Sequence, residues 1–317
     1  NLNIPVLIAG AAASKLHTAI KLEPLYKDKT LYVTDALDTL SAVNKICSDK
    51  KEDFLKEKSE ELHSLSEIYY NNKNIEKNIS KSNKNTKFLS PAVVPKETGK
   101  YYAEFLLKDV EPFIKYGLIF HNLGVKNTSE EERVEKDIKI ILDKMKSENL
   151  KIKCSFGVFS CEKEDDSIKI YENKKEYTIP LTRGFYKPEK IQLSLSDFLN
   201  ERDYTGMFVV SVQSSYFKDD DYMKLLETLI LTRIAEAGAE YLQRYVDKNL
   251  WQTNIRPVPG YPSLPEHSIK KTVFDLIEGE KTGAELTSSF AMKPLSTVCG
   301  LYLANPNSFY LLNVLEE

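Results

Sequence analysis

The sequence predicts an α+β fold, a domain with a mostly antiparallel sheet and flanking helices, preceded by the C-terminal part of a doubly wound α/β unit. Three observations carry that expectation. The first 47 residues read strand, helix, strand, helix, the order of a parallel βαβ unit. A stretch made almost wholly of Asn, Lys and Ser follows at 71–87. After it, strands and helices mix without a βαβ rhythm.

In chain order, residues 4–8 form a short apolar run typical of a buried parallel strand. Gly10 and three alanines follow, and Ser14 is placed to cap a helix through Leu22. Residues 31–33 read as a second strand and 36–47 as a second helix, with Asp35 or Asp38 near its start. Two strands cannot cover both faces of a parallel sheet, so the rest of that unit is expected upstream of Asn1. A first residue other than Met carries the same expectation of a processed or excised chain. Residues 50–70 read as a charged helix, with Phe54, Leu62 and Leu65 near helical spacing. The segment 71–87 has too little apolar surface to fold and reads as a flexible linker. The expected divisions are therefore 1–48, 49–87 and 88–317. Beyond the linker, 130–148 has a strong amphipathic helical pattern, and 152–162, 167–172, 176–181 and 207–212 read as strands. A long helix is expected over 222–251, a shorter one over 267–277, and closing strands at 298–304 and 309–314.

Composition excludes several function classes. The chain has 317 residues, 42% hydrophobic and 29% charged, with a net charge of −3. That balance is globular and argues against a general nucleic-acid binder. No apolar run approaches the roughly 18 residues that a membrane span needs. No secretory leader is visible, and a cytoplasmic location is expected. The four cysteines, Cys47, Cys154, Cys161 and Cys299, lack CxxC spacing and read as reduced, buried thiols. Cys154 and Cys161 are seven apart in a strand and are expected on opposite faces. The four histidines, His17, His63, His121 and His267, do not pair at metal-ligand spacing. No metal site is expected in this chain.

Three places hold residues suited to ligand chemistry. The first is Arg256-Pro-Val-Pro-Gly-Tyr-Pro-Ser-Leu-Pro-Glu-His267. Its four prolines make a stiff, extended segment, and Gly260 admits close approach to the backbone. Val258, Gly260 and Tyr261 retain N–H groups to donate, and the fork of Arg256 suits a carboxylate or phosphate. The same stretch also reads as a rigid connector between two elements. The second place is the long helix, where Arg233, Glu236 and Glu240 fall on one face among small residues. These are suited to a partly buried carboxylate site or to an ordinary intrahelical ion pair. The third is Asp109, before Val-Glu-Pro, either a ligand group or a turn former or helix cap. His17, after the capped first helix, is a weaker candidate that also reads as a helix-surface histidine. No phosphate loop, nucleophile elbow or HExxH is present.

These motifs carry a family resemblance. Arg256 to His267 resembles the RPAPGYPxxPxH signature in the activation domain of cobalamin-dependent methionine synthases. Leu286-Thr-Ser-Ser-Phe-Ala-Met292 is similar to that family's LTESFAM, and Val298-Cys-Gly-Leu-Tyr-Leu-Ala-Asn-Pro306 to its VSGxYFxHP. Ile234-Ala-Glu-Ala-Gly-Ala-Glu-Tyr-Leu242 resembles its LAEAFAEYL helix. Gly157-Val-Phe159 and Ile168-Lys-Ile-Tyr171 resemble its GLFPAN…DDIEIY strands. Near the start, Ile8-Ala-Gly-Ala-Ala-Ala-Ser-Lys-Leu-His-Thr-Ala19 resembles GGATTSKAHTA at the end of the family's cobalamin domain. Tyr32-Val-Thr-Asp-Ala36 resembles a later strand and turn there.

The resemblance implies a part of a methyltransferase that moves methyl from methyltetrahydrofolate to homocysteine through cobalamin. This part would bind S-adenosylmethionine and support remethylation of oxidised cobalamin. An alternative is a separate reactivation subunit for another corrinoid protein. Asp109, Glu236, Arg256, Val258, Gly260, Tyr261 and Tyr310 would line the S-adenosylmethionine site. Gly10, Ser14 and Ala36 would edge the pocket of the cobalamin tail. The implied partners are the cobalamin domain of the same polypeptide and flavodoxin or a similar electron donor. The family's DxHxxG cobalt-ligand motif and its zinc-binding cysteines are absent here, so zinc is expected only upstream.

Overall fold

The computed structural model describes residues 4–9, 14–26, 30–33, 36–78, 86–125, 127–186, 191–217 and 219–311. The chain divides into two units, Asn1–Ser82 and Asn83–Glu317.

In the first unit, β1 (Val6–Ile8) and β2 (Thr30–Tyr32) pair in parallel, with Val6 opposite Thr30 and Ile8 opposite Tyr32. Between them, α1 (Lys15–His17) is capped by Ser14, whose Oγ accepts from the His17 N–H at 3.0 Å. The helix widens at once into a π turn, Thr18–Leu22. The cap and the end at Leu22 match the expectation; the π geometry has no signature in the sequence. Then come α2 (Ala36–Ile46) and α3 (Lys51–Asn78). A small core of Leu31, Val33, Ala42, Phe54 and Leu55 joins them to β2. Glu61 on α3 pairs with Lys15 and Lys58, and the buried Glu23 carboxylate meets His63 Nε2 at 2.7 Å. Helix α3 runs beyond Tyr70, where the sequence reading ended it, to Asn78. No Gly or Pro interrupts that stretch, and polar side chains are no obstacle to an already nucleated helix.

The second unit is built on β4 (Lys151–Glu164), fourteen residues long. One edge of β4 pairs along its length with β9 (Arg202–Val212), Ile152 opposite Val212 and Glu162 opposite Arg202. Its other edge serves two strands in turn. β3 (Gly99–Leu106) takes the first half, and β5 (Ser167–Glu172) takes the end. β6 (Lys175–Pro180) follows β5, and β12 (Thr297–Tyr302) lies outside β9. All these pairings are antiparallel, so the expected α+β class holds. Short pairs β7 (Gly184–Tyr186) with β8 (Ile191–Leu193) and β10 (Glu285–Leu286) with β11 (Met292–Lys293) complete the strands. Strand β3 was missed, although Tyr101, Ala103 and Phe105 alternate with Lys100, Tyr102 and Glu104. The strand expected at 309–314 does not form through Leu311; its remainder lies outside the described residues.

Helices cover both faces of this sheet. The short α4 (Leu107–Val110) and α5 (Gly117–Asn122) lead into α6 (Thr128–Ser147), which Asn127 caps through the Glu130 N–H. With the long α7 (Asp221–Asn249), these pack over Ile152, Cys154, Phe156, Phe208, Val210 and Tyr302. Helix α8 (Ile269–Ile277) packs on the other face, against Met207, Val209, Cys299 and Leu301. Adjacent residues of β9 thus enter opposite cores, the period of two expected of a sheet covered on both sides. Gly238 explains how close α7 comes to the sheet, since a Cβ there would lie 2.7 Å from Ile152 Cγ2.

The same alternation separates Cys154 from Cys161, as their odd spacing predicts. Three cysteines are buried as expected, but Cys47 is exposed at the end of α2. Burial pushes the Cys161 and Cys299 thiols up to about 12 and the Cys154 thiol higher still. Thiolate is the reactive form, so the native chain should react with a maleimide or disulfide reagent at one thiol, Cys47. Denaturant should release the other three. Rapid native labelling of a second cysteine would contradict this packing.

Candidate functional site

The stiff segment opened by Arg256 runs along one stripe of α7. Ala239, Gln243 and Asp247 are spaced four apart on that helix and therefore share a face. Each holds the segment. Asp247 Oδ1 accepts from the Thr253 N–H at 2.9 Å and from its hydroxyl at 2.7 Å. Gln243 Nε2 donates to Thr253 Oγ1 at 3.0 Å. Arg256 Nη1 donates to the Ala239 carbonyl at 2.7 Å and to Gln243 Oε1 at 3.2 Å. Arg256 Nη2 lies 3.5 Å from Glu240 Oε2, and the side chain is 19% exposed. On its other side the segment joins β12. Ile255 and Leu303 exchange both backbone bonds, at 3.1 and 3.2 Å, and the Pro257 carbonyl accepts from the Leu301 N–H at 2.9 Å. Missing from the sequence reading were Gln243, Asp247 and this docking on β12. The (i, i+4) stripe was the available signal for the first two.

The proline loop closes on itself. Gly260 N–H donates to the Leu264 carbonyl at 2.8 Å and Tyr261 N–H to the Val258 carbonyl at 3.2 Å. These two N–H groups are therefore not available, a correction to the sequence reading; local turn bonds consume them. The Val258 N–H has no acceptor among the described residues. Gly260 has φ +98°, and a Cβ on it would meet the His267 ring at 2.4 Å, so glycine is required twice over. Burial and the nearby Lys270 hold the His267 imidazole below its ordinary pKa. Tyr261 and Tyr310 are exposed beside this loop, and Tyr310 Oη accepts from the Arg256 backbone N–H at 3.0 Å.

The other predicted residues fall in two places. Arg233 and Glu236 form an ion pair at 2.8 Å, with Glu236 46% exposed. Partial burial raises the Glu236 carboxyl, against the pull of Arg233, Lys115 and Arg256. Glu240, read on the same face, instead pairs with Arg244 at 3.3 Å and with Arg256. The third place, Asp109, lies on α4, which packs on α7. Its Oδ2 accepts from the Leu106 N–H at 2.9 Å, so Asp109 acts as a helix cap with Oδ1 left over.

In the first unit, Ser14 follows β1 and Ala36 begins α2 after β2, while Gly10 lies outside the described residues. His17 is exposed, in line with the helix-surface reading. A separate open cleft of about 480 Å³ lies between the N-terminal half of α7 and the β10–β11 pair. It is lined by Gln213, Ser214, Thr228, Leu231, Lys293 and Ser296, and by none of the predicted residues. No group of three or more His, Cys, Asp or Glu suited to a metal occurs among the described residues. No described helix is long and apolar enough to cross a membrane.

Residues 105–314 match the family described as vitamin B12 dependent methionine synthase, activation domain. Among solved structures, the chain is similar to one described as the crystal structure of the MetH reactivation domain bound to AdoHcy. The two share 27% sequence identity over 72% of this chain and 84% of that one, with a TM-score of 0.64.

Proposed function

The chain belongs to the family of vitamin B12-dependent methionine synthase activation domains, and from that premise we propose that the unit Asn83–Glu317 binds S-adenosylmethionine for reductive remethylation of oxidised cobalamin. The observation that carries this reading is Arg256. Its guanidinium is anchored through Nη1 on α7 and held only at 3.5 Å through Nη2, which leaves donors for a carboxylate. The AdoHcy-bound structural neighbour supports an adenosyl ligand with an amino-acid end.

The residues present fit such a ligand. Arg256 takes the methionyl carboxylate, and Asp109 Oδ1 takes the ammonium. Glu236 serves the ribose hydroxyls or the sulfonium side. The Val258 N–H meets an acceptor on the adenine edge, while Tyr261 and Tyr310 wall the loop. Gly260 contributes shape only, since its N–H is already bonded. Once bound, S-adenosylmethionine supplies an electrophilic methyl group; this chain's residues bind and orient it.

The wider reaction, methyl transfer from methyltetrahydrofolate to homocysteine, is the context in which this unit works. Its partners in that reading are the cobalamin domain of the same polypeptide and flavodoxin or a similar donor, in the cytoplasm. Ser14 and Ala36 follow the carboxyl ends of two parallel strands, the side where doubly wound sheets bind ligands, and there they edge the cobalamin tail.

Calorimetric titration of the 317-residue chain with S-adenosylmethionine tests the binding assignment. Saturable one-to-one binding is expected. Asp109→Asn keeps an oxygen for the Leu106 N–H but loses the charge facing the ammonium, and should weaken binding roughly tenfold. Absence of binding by the wild-type chain would sink the reading.

A further inference from the structure

The register of the proline loop on β12 places a second side chain beside Arg256. Ile255 and Leu303 form a mutually bonded pair, and Pro257 is opposite Leu301. Arg256 and Tyr302 are therefore directly opposed at a non-hydrogen-bonded position, where cross-strand side chains share a face and approach most closely. The cores agree: Ile255, Leu301 and Leu303 enter the α8 core, whereas Tyr302 enters the α7 core, toward which Arg256 reaches.

Tyr302 is fully buried, its ring stacked on Phe208 at 4.8 Å with 27° between planes. Among the described residues its hydroxyl has no hydrogen-bond partner. A buried hydroxyl without a partner lowers stability, and phenylalanine would fill the same shape without that cost. Tyrosine here calls for a function of the Oη atom.

Resting on the reading of Arg256 as the carboxylate-binding group, we propose that Tyr302 is a positioning residue for its guanidinium. A ligand carboxylate replaces the loosest acceptor of Arg256, Glu240 Oε2 at 3.5 Å, and Glu240 keeps Arg244 as its partner. The turned guanidinium brings an N–H to Tyr302 Oη, which accepts it. The orphaned hydroxyl is thus reserved for the liganded arrangement and steadies the fork from below.

Tyr302→Phe in the 317-residue chain tests this by calorimetric titration with S-adenosylmethionine and by thermal melts. The variant should melt at the wild-type temperature or higher, yet bind roughly five- to tenfold more weakly. In an Arg256→Ala background, the same change should have no further effect on affinity, because Tyr302 acts through Arg256. Wild-type affinity in Tyr302→Phe would overturn the proposal while leaving the Arg256 assignment standing. An equal loss in both backgrounds would also overturn it, as it would show an effect independent of Arg256. If the wild-type chain does not bind at all, both readings fall together.

Discussion

Arg256→Ala is expected to weaken S-adenosylmethionine binding by about 30-fold or more while leaving the fold intact. Truncating one partner of a hydrogen-bonded charge pair in a desolvated setting costs about 2–5 kcal/mol, and the lower bound is about 30-fold in affinity. The side chain is 19% exposed, so solvent screens it only in part. The fold should survive because the loop has other anchors. Ile255 stays bonded to Leu303 and Pro257 to Leu301 of β12, the residue 256 N–H still reaches Tyr310, and Asp247 still holds Thr253. Arg256→Lys should recover only part of the affinity, because an ammonium cannot present a fork. Titration calorimetry gives the affinities. Emission from Trp251, the sole tryptophan, 2% exposed and bonded through Nε1 to the Val93 carbonyl, reports the fold. Wild-type affinity in a folded Arg256→Ala chain would return the segment to the alternative of a rigid connector.

What the sequence disclosed and what it withheld divide along the range of the interactions. Four prolines and an arginine within a dozen residues announce a stiff segment that carries a carboxylate-binding group, because φ restriction and side-chain chemistry are local properties. The odd spacing of Cys154 and Cys161 likewise fixed their opposite faces. Helix α6 was visible as an amphipathic pattern and α7 as a long helical stretch. The use of Gly260 N–H and Tyr261 N–H in turn bonds was hidden, although both partners lie within five residues. Proline content shows stiffness but not which carbonyl folds back. The pairing of Arg256 with Tyr302 was out of reach altogether, since it depends on a register set 46 residues away. Tyr302 stood in the VSGxYF-like motif, yet nothing local marks its hydroxyl as unpartnered. The ambiguity at Asp109 was real: one oxygen caps α4, so the structural role is present and the ligand role rests on the other. Strand β3 carried a local alternation; what no single window contains is that it shares one edge of β4 with β5.

Gly300→Ala should be strongly destabilising at the boundary of fold and site. Gly300 lies on β12 opposite Phe208. A Cβ there would stand 2.6 Å from the Pro257 carbonyl oxygen and 2.8 Å from Phe208 Cε1. The first neighbour is backbone and is already bonded to the Leu301 N–H, so it cannot yield without loosening the loop from the strand. The second belongs to a fully buried ring stacked on Tyr302. Overpacking of a close-packed core typically costs about 1–3 kcal/mol, and with backbone on one side the upper end applies. For a unit of this size, about 3 kcal/mol lowers the melting temperature by roughly 6–12 °C. The displacement passes to Pro257, next to Arg256, so S-adenosylmethionine affinity should also fall in the chain that remains folded at low temperature. Gly117→Ala provides the contrast. Nothing lies within 4 Å of its added methyl, and it begins α5, so its melt should match wild type or rise slightly. Equal melting temperatures for the two variants would show that β12 and the proline loop are not packed as closely as this register requires.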